Sequence, residues 1–164
     1  MDEKMVSLRI NDIPVTVPEG STVLEAARSA GFNIPSLCFL KDINEIGACR
    51  ICVVEVEGRK NLAPACKTVC TEGMVVRTHT PRVVNARRTV MELILSNHPN
   101  DCLTCTKNGH CELQRTAQDL GIREIKYRGE TTKYQRTCPY PSCATWTSAS
   151  CAAAARPPAT KSSR

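Results

Sequence analysis

The sequence predicts an α+β protein. Two short runs of alternating apolar residues meet at a turn signal near the front, and a capped helix follows them. A longer helical period then leads into a second group of metal-binding side chains. Strands come first and helices later, which is the order of a segregated α+β chain rather than of repeated βαβ units.

Val6 to Ile10 reads as a strand, and Asn11-Asp12 is a turn signal. Ile13 to Val17 alternates and stops at Pro18-Glu19-Gly20, so the two runs form a hairpin. Thr22 opens a helix with Glu25 as its capping-box partner, and Gly31 marks the stop. Val23, Leu24 and Ala27 give this helix a core face. Ile34-Pro35 leads to Cys38, Val53 to Val56 is a strand closed by Gly58, and Met74 to Thr78 is a short last strand.

Thr80-Pro81 starts the next helix, with a capping hydroxyl and then proline at the first helical position. Val83, Val84, Ala86, Val90, Leu93, Ile94 and Leu95 carry helical periodicity, and Arg82, Arg87 and Arg88 read as its solvated face. This helix should end near Ser96-Asn97. Glu112 to Leu120 reads as a third helix with Gly121 as its stop, and Ile122 to Ile125 as a short extended piece.

The chain has 164 residues, 41% of them hydrophobic, enough for one domain or two small ones. Aromatic residues make up only 4%, which leaves few stacking platforms for nucleic-acid bases. The net charge is +6, but Arg156, Lys161 and Arg164 lie in the last few positions, so nucleic acid is not expected as a partner. The first residues lack a signal-peptide apolar run, and no stretch reaches the roughly 18 apolar residues of a membrane span. A cytoplasmic location is expected, where the 11 cysteines mean metal more often than disulfides. No G-x-G-x-x-G occurs, so nicotinamide binding by this chain is not expected.

Cys38, Cys49, Cys52 and Cys66 bring four thiolates from three loops to one region. Cys49 and Cys52 form a C-x-x-C pair on a glycine-led loop, ahead of the strand V-V-E-V. A C-x-x-C alone serves redox pairs and zinc sites equally. Structural zinc usually takes two close pairs, whereas one pair with two single cysteines is nearer to [2Fe–2S] ligation, so both remain open. Cys70 is left over, as a competing ligand or a buried free thiol. Gly47 fits either a close approach of backbone to the metal centre or an ordinary turn. The second group is spaced His98-x3-Cys102-x2-Cys105-x5-Cys111, with a Gly-bearing loop before the last cysteine. One His and three Cys also suit zinc. His110 does not match the spacing, and His79 reads as structural or exposed.

The region Met5–Thr80 resembles the N-terminal [2Fe–2S] domain shared by the large iron–sulfur subunit of respiratory complex I, NAD-linked formate dehydrogenases and NAD(P)-linked [FeFe]-hydrogenases. The second motif resembles the His-ligated [4Fe–4S] site of the same families, and Tyr127-Arg128-Gly129 is similar to the hydrogenase branch. The resemblance implies a β-grasp ferredoxin-like domain over 1–80 and a small helical domain over 81–129. It makes Cys38, Cys49, Cys52 and Cys66 the ligands of a [2Fe–2S] cluster, and His98, Cys102, Cys105 and Cys111 those of a [4Fe–4S] cluster. A neutral imidazole in place of a thiolate should raise the potential of the second cluster.

The implied function is electron transfer between an NAD(P)-linked partner and a hydrogen-activating domain that this sequence lacks. Flavin- and NAD(P)-binding subunits and small ferredoxin-like subunits are the implied partners, and no catalytic residue is expected in this chain. A complex I-type or formate dehydrogenase subunit and a zinc-stabilised interaction module are the alternatives. From about Thr137 the chain has neither period nor caps, and 130–164 reads as a disordered tail. A frameshift from Pro139 onward can restore C-x-x-C-x-x-C-x-x-x-C in register with Ala149, Ala152, Ala155 and Ala159. The expectation is a fragment of a longer protein in which a third cluster domain followed.

Overall fold

The computed structural model describes residues 4–129. The tail and frameshift readings, which concern 130–164, fall outside the described residues.

Five strands form one mixed sheet in the order β2-β1-β5-β3-β4. Strands β1 (Met5–Ile10) and β2 (Ile13–Pro18) pair antiparallel, with Leu8 opposite Val15 and Ile10 opposite Ile13. Asn11 and Asp12 take φ of 49° and 69° in the turn, the left-handed pair a two-residue hairpin needs. Period-two alternation sends Val6, Leu8, Ile10, Val15 and Val17 inward.

Helix α1 (Val23–Ser29) packs on that face, with Val23, Leu24, Ala26 and Ala27 fully buried. The expected capping box is present: Thr22 Oγ1 accepts from Glu25 N–H, and Glu25 Oε2 accepts from Thr22 N–H. Gly31 N–H donates to Arg28 O and Phe32 N–H to Ala27 O, the two bonds of a Schellman stop.

Strand β3 (Val53–Val56) lies between β5 (Val75–Arg77) and a two-residue strand β4 (Ala63–Pro64) that the sequence pattern does not reveal. Strand β5 returns parallel to β1, with Ile10 level with Val76. Asn11 clamps the end of β5: its Nδ2 donates to Thr78 Oγ1 at 2.7 Å, and its Oδ1 accepts from Thr78 N–H at 2.9 Å.

Helix α2 (Pro81–Ser96) starts at the expected cap, Thr80 Oγ1 accepting from Val83 N–H. The same hydroxyl donates to Glu55 Oε2 at 2.7 Å, fastening the helix start to β3. Beyond it lie a short 3₁₀ turn, Cys102–Thr104, and α3 (Glu112–Asp119). Ile51, Met91 and Leu113 form a second core against which Leu37, Val90, Ile94 and Leu120 pack.

Ile122 to Ile125 lies outside helix and strand, and Ile122 N–H donates back to Ala117 O to complete the stop of α3. One sequence expectation is corrected. Arg87 does not belong to a solvated face. It is 2% exposed, because Val83, Arg87 and Met91 recur every fourth residue on the buried stripe of α2.

Candidate metal centres

The first four cysteines come from three places on the sheet's loop edge. Cys38 follows α1, Cys49 and Cys52 flank a tight turn just before β3, and Cys66 follows β4. Within the turn Arg50 takes φ of 57°. Ala65 N–H donates to Cys52 O at 3.1 Å, which holds the Cys66 segment beside Cys52. Cys49 N–H donates to Cys38 Sγ at 3.5 Å.

Burial pushes the Cys49 thiol up, and the Cys38 side chain adds to that. Burial pushes Cys66 up to about 12, followed by the side chain and charge of Cys52 and then the charges of Cys38 and Cys49. The Cys49 N–H bond to Cys38 Sγ and the Ala65 N–H bond to Cys52 O group the four as two pairs, Cys38 with Cys49 and Cys52 with Cys66. Cys38 and Cys49 are half-buried and Cys52 and Cys66 buried, and a bound cation would offset the cost of holding four thiolates together there.

Among the described residues, no three His, Cys, Asp or Glu side chains gather tightly enough for a single ion. A binuclear centre asks for a different arrangement, with two thiolates at each metal, and the pairing fits that demand. Gly47 lies beside the Cys66 segment. Its φ is 68°, and a Cβ there would stand 2.9 Å from Lys67 Cγ and 3.6 Å from Cys66 Sγ. The backbone thus passes close to a candidate ligand at a residue with no side chain to obstruct it.

The second four lie between α2 and the start of α3. His98 is half-buried, and its Nδ1 accepts from Asn100 N–H at 3.1 Å. Iron binding through Nδ1 would displace that bond. Binding through Nε2 would place the proton on Nδ1, which could then no longer accept. Cys102 begins the 3₁₀ turn, and Cys105 closes it with its N–H donating to Cys102 O at 3.2 Å. Cys105 is exposed and its sulfur accepts from Lys107 N–H. Cys111 is the N-cap of α3, and its side chain makes no capping hydrogen bond. Among the described residues, no side-chain hydrogen bond joins any of these four donors to another.

Cys49 and Cys111 pack into the same core, around Ile51 and Met91, so one apolar layer borders both sites. Cys70 is a buried thiol inside the main core, at 3% exposure. His110 is exposed. His79 is exposed and bonds through Nδ1 to the Thr78 hydroxyl. The residue that the sequence pattern left unmarked is Arg87: its Nε and Nη2 donate to Val53 O at 3.2 and 2.8 Å, one residue from Cys52. The four-residue recurrence Val83–Arg87–Met91 was the available signal.

Residues 3–81 match the family described as a 2Fe-2S iron-sulfur cluster binding domain. Residues 87–126 match the NADH-ubiquinone oxidoreductase-G iron-sulfur binding region. The chain is 51% identical over 137 residues to the NADP-reducing hydrogenase subunit HndD of Solidesulfovibrio fructosivorans, covering 80% of this chain and 23% of that protein. It is 42% identical over 123 residues to the NADPH-Fe(3+) oxidoreductase subunit alpha of Geobacter sulfurreducens, covering 75% of this chain and 15% of that one. A solved structure titled as an NAD+-reducing [NiFe]-hydrogenase in the H2-reduced state superposes with a TM-score of 0.70 at 31% identity, over 75% of this chain and 52% of that one. The chain thus spans under a quarter of the length of these two curated relatives.

Proposed function

We propose that this chain, which belongs to the iron–sulfur family shared by NAD(P)-linked hydrogenases and NADH-quinone oxidoreductases, conducts electrons through two clusters held by eight named side chains. It is an iron–sulfur electron-transfer module carrying a [2Fe–2S] and a [4Fe–4S] cluster. Cys38, Cys49, Cys52 and Cys66 would hold the first, two thiolates to each iron in the pairs described above. His98, Cys102, Cys105 and Cys111 would hold the second.

The observation that carries the ligand reading is the convergence of four buried or half-buried thiols, with Cys49 N–H donating to Cys38 Sγ and Ala65 N–H donating to Cys52 O beside Cys66. When bound, the clusters supply one-electron acceptance and donation. The chain supplies the rest. The sheet and α1 fix the ligand loops, and Gly47 lets backbone approach. The core of Ile51, Met91 and Leu113 excludes water between the sites. His98 must exchange its bond to Asn100 for iron, so the second site reorganises on loading more than the first.

Two units follow, over 1–80 and 81–129. The parent protein in this reading is an NAD(P)-linked [FeFe]-hydrogenase subunit working with flavin- and NAD(P)-binding and small ferredoxin-like subunits in the cytoplasm. Support comes from the 51% identity to the NADP-reducing hydrogenase subunit. A complex I-type subunit is the second reading, favoured by the family matched over 87–126. No helix among the described residues is long and apolar enough to cross a membrane.

The test of the ligand sets is anaerobic loading of the full chain with iron and sulfide, followed by EPR of the reduced protein. Cys52→Ser should remove or alter the [2Fe–2S] signal alone, and Cys111→Ser the [4Fe–4S] signal alone. Unchanged spectra in both variants would refute the assignment.

A further inference from the structure

Arg87 is a charged side chain placed where charge is costly. It is 2% exposed, on the stripe of α2 that also carries Val83 and Met91. Both of its bonds go to one acceptor, the carbonyl oxygen of Val53, at 3.2 Å from Nε and 2.8 Å from Nη2. Val53 directly follows Cys52, which is 1% exposed. Among the described residues, the ion pairs join Lys4, Lys41, Arg82 and Arg115 to carboxylates, and none involves Arg87.

A buried guanidinium without an anion bears an uncompensated desolvation cost. Burial here drives its pKa down to about 10. A carbonyl dipole satisfies two N–H groups but supplies no net negative charge.

We propose that Arg87 is the buried counter-cation of the [2Fe–2S] site, holding the peptide beside ligand Cys52 through Val53 and raising the cluster's midpoint potential. This rests on the ligand reading above. The cluster with its four thiolates is net negative, and reduction adds one more negative charge. A fixed positive charge in a low-dielectric setting favours the more negative state, so the reduced form gains more than the oxidised form. Because Arg87 projects from α2 to β3, the same contact makes the potential of the first site depend on the seating of the helix that leads to the second.

The experiment is an EPR-monitored redox titration of the full chain, loaded anaerobically with iron and sulfide, in the native form and as Arg87→Met and Arg87→Lys. The [4Fe–4S] signal in each sample is the internal reference. Arg87→Met should shift the [2Fe–2S] midpoint to more negative potential while the [4Fe–4S] midpoint moves less. Arg87→Lys, which keeps the charge and loses the paired donors, should stay nearer to the native value. A folded, loaded Arg87→Met with the native midpoint overturns the proposal. So does an equal shift in the Met and Lys variants, which would make the effect structural.

If Arg87→Met fails to load, Arg87→Gln replaces it, since it retains a donor for Val53 O without the charge. Loading by the Lys variant and by neither neutral one would show that the charge is required and support the proposal. Failure of all three would make Arg87 a structural strut and overturn it. If the native chain itself shows no [2Fe–2S] signal, the fault lies with the ligand assignment, an outcome separable from these.

Discussion

Replacing Gly47 by alanine tests whether the loop over the first site is built for close approach. Two opposing effects set the magnitude. An L-residue at φ of 68° is strained by about 1–2 kcal/mol. Alanine also narrows the unfolded ensemble, which returns about 0.4–1 kcal/mol. Backbone effects alone thus leave a net cost of about 1 kcal/mol. The new Cβ would then meet Lys67 Cγ at 2.9 Å and Cys66 Sγ at 3.6 Å. Lys67 is exposed and can shift, but its Cγ lies near the backbone, so the shift reaches Cys66 next to it. A total near ~2 kcal/mol results, within the usual range for overpacked interiors.

Gly58→Ala is the control. Its φ is 80°, and nothing lies within 4 Å of the added Cβ, so it carries strain alone. Urea unfolding of the metal-free chain, followed by circular dichroism, gives both stability changes. Iron uptake at the [2Fe–2S] site gives the functional readout. Gly47→Ala should lose more stability than Gly58→Ala and should slow or distort [2Fe–2S] loading, which Gly58→Ala should leave alone. Equal losses with unimpaired loading in both would refute the close-approach argument.

Met91→Ala removes a fully buried side chain from the second core and should cost about 2–5 kcal/mol in the same unfolding assay. Because Cys49 and Cys111 border that core, it should also lower iron retention at both sites, and a loss confined to one would argue against the shared layer. Glu25 supplies a pH test. The Thr22 N–H bond, helped by Lys41 and the Thr22 hydroxyl against the opposing effect of burial, holds its carboxyl below the ordinary value of 4.5. A depressed folded value contributes stability above the unfolded one and loses it as pH falls. Unfolding of the metal-free chain should therefore become easier as pH drops below 4.5, with a shallower fall for Glu25→Gln. Identical slopes would contradict the role given to the capping box.

Much of the fold was legible because its signals are local. Alternation in Val6–Ile10, the Asn11-Asp12 turn, the Thr22 capping box and the Thr80-Pro81 start each depend on a few adjacent residues, and each lies where the sequence indicated. What escaped is set by distant partners. Strand β4 has two residues, one of them proline, and exists because Val53 and Val54 lie opposite it.

Arginine on a helix is ordinarily a solvated residue. Arg87 departs from that because α2 crosses β3 where the Val53 carbonyl can take two donors. The first cysteine group was legible as a candidate metal site of either kind, and its two-by-two pairing needed the structure. The second group was legible only as spacing. Its imidazole is engaged with Asn100, and among the described residues no side-chain hydrogen bond joins its donors.

The most direct measurement is the iron and acid-labile sulfide content of the anaerobically loaded full chain, read beside its reduced EPR spectrum. The expected result is six irons and six sulfides per chain, two from one cluster and four from the other, with two distinct signals that disappear separately in Cys52→Ser and Cys111→Ser. Stoichiometric zinc without sulfide in a colourless protein would contradict it.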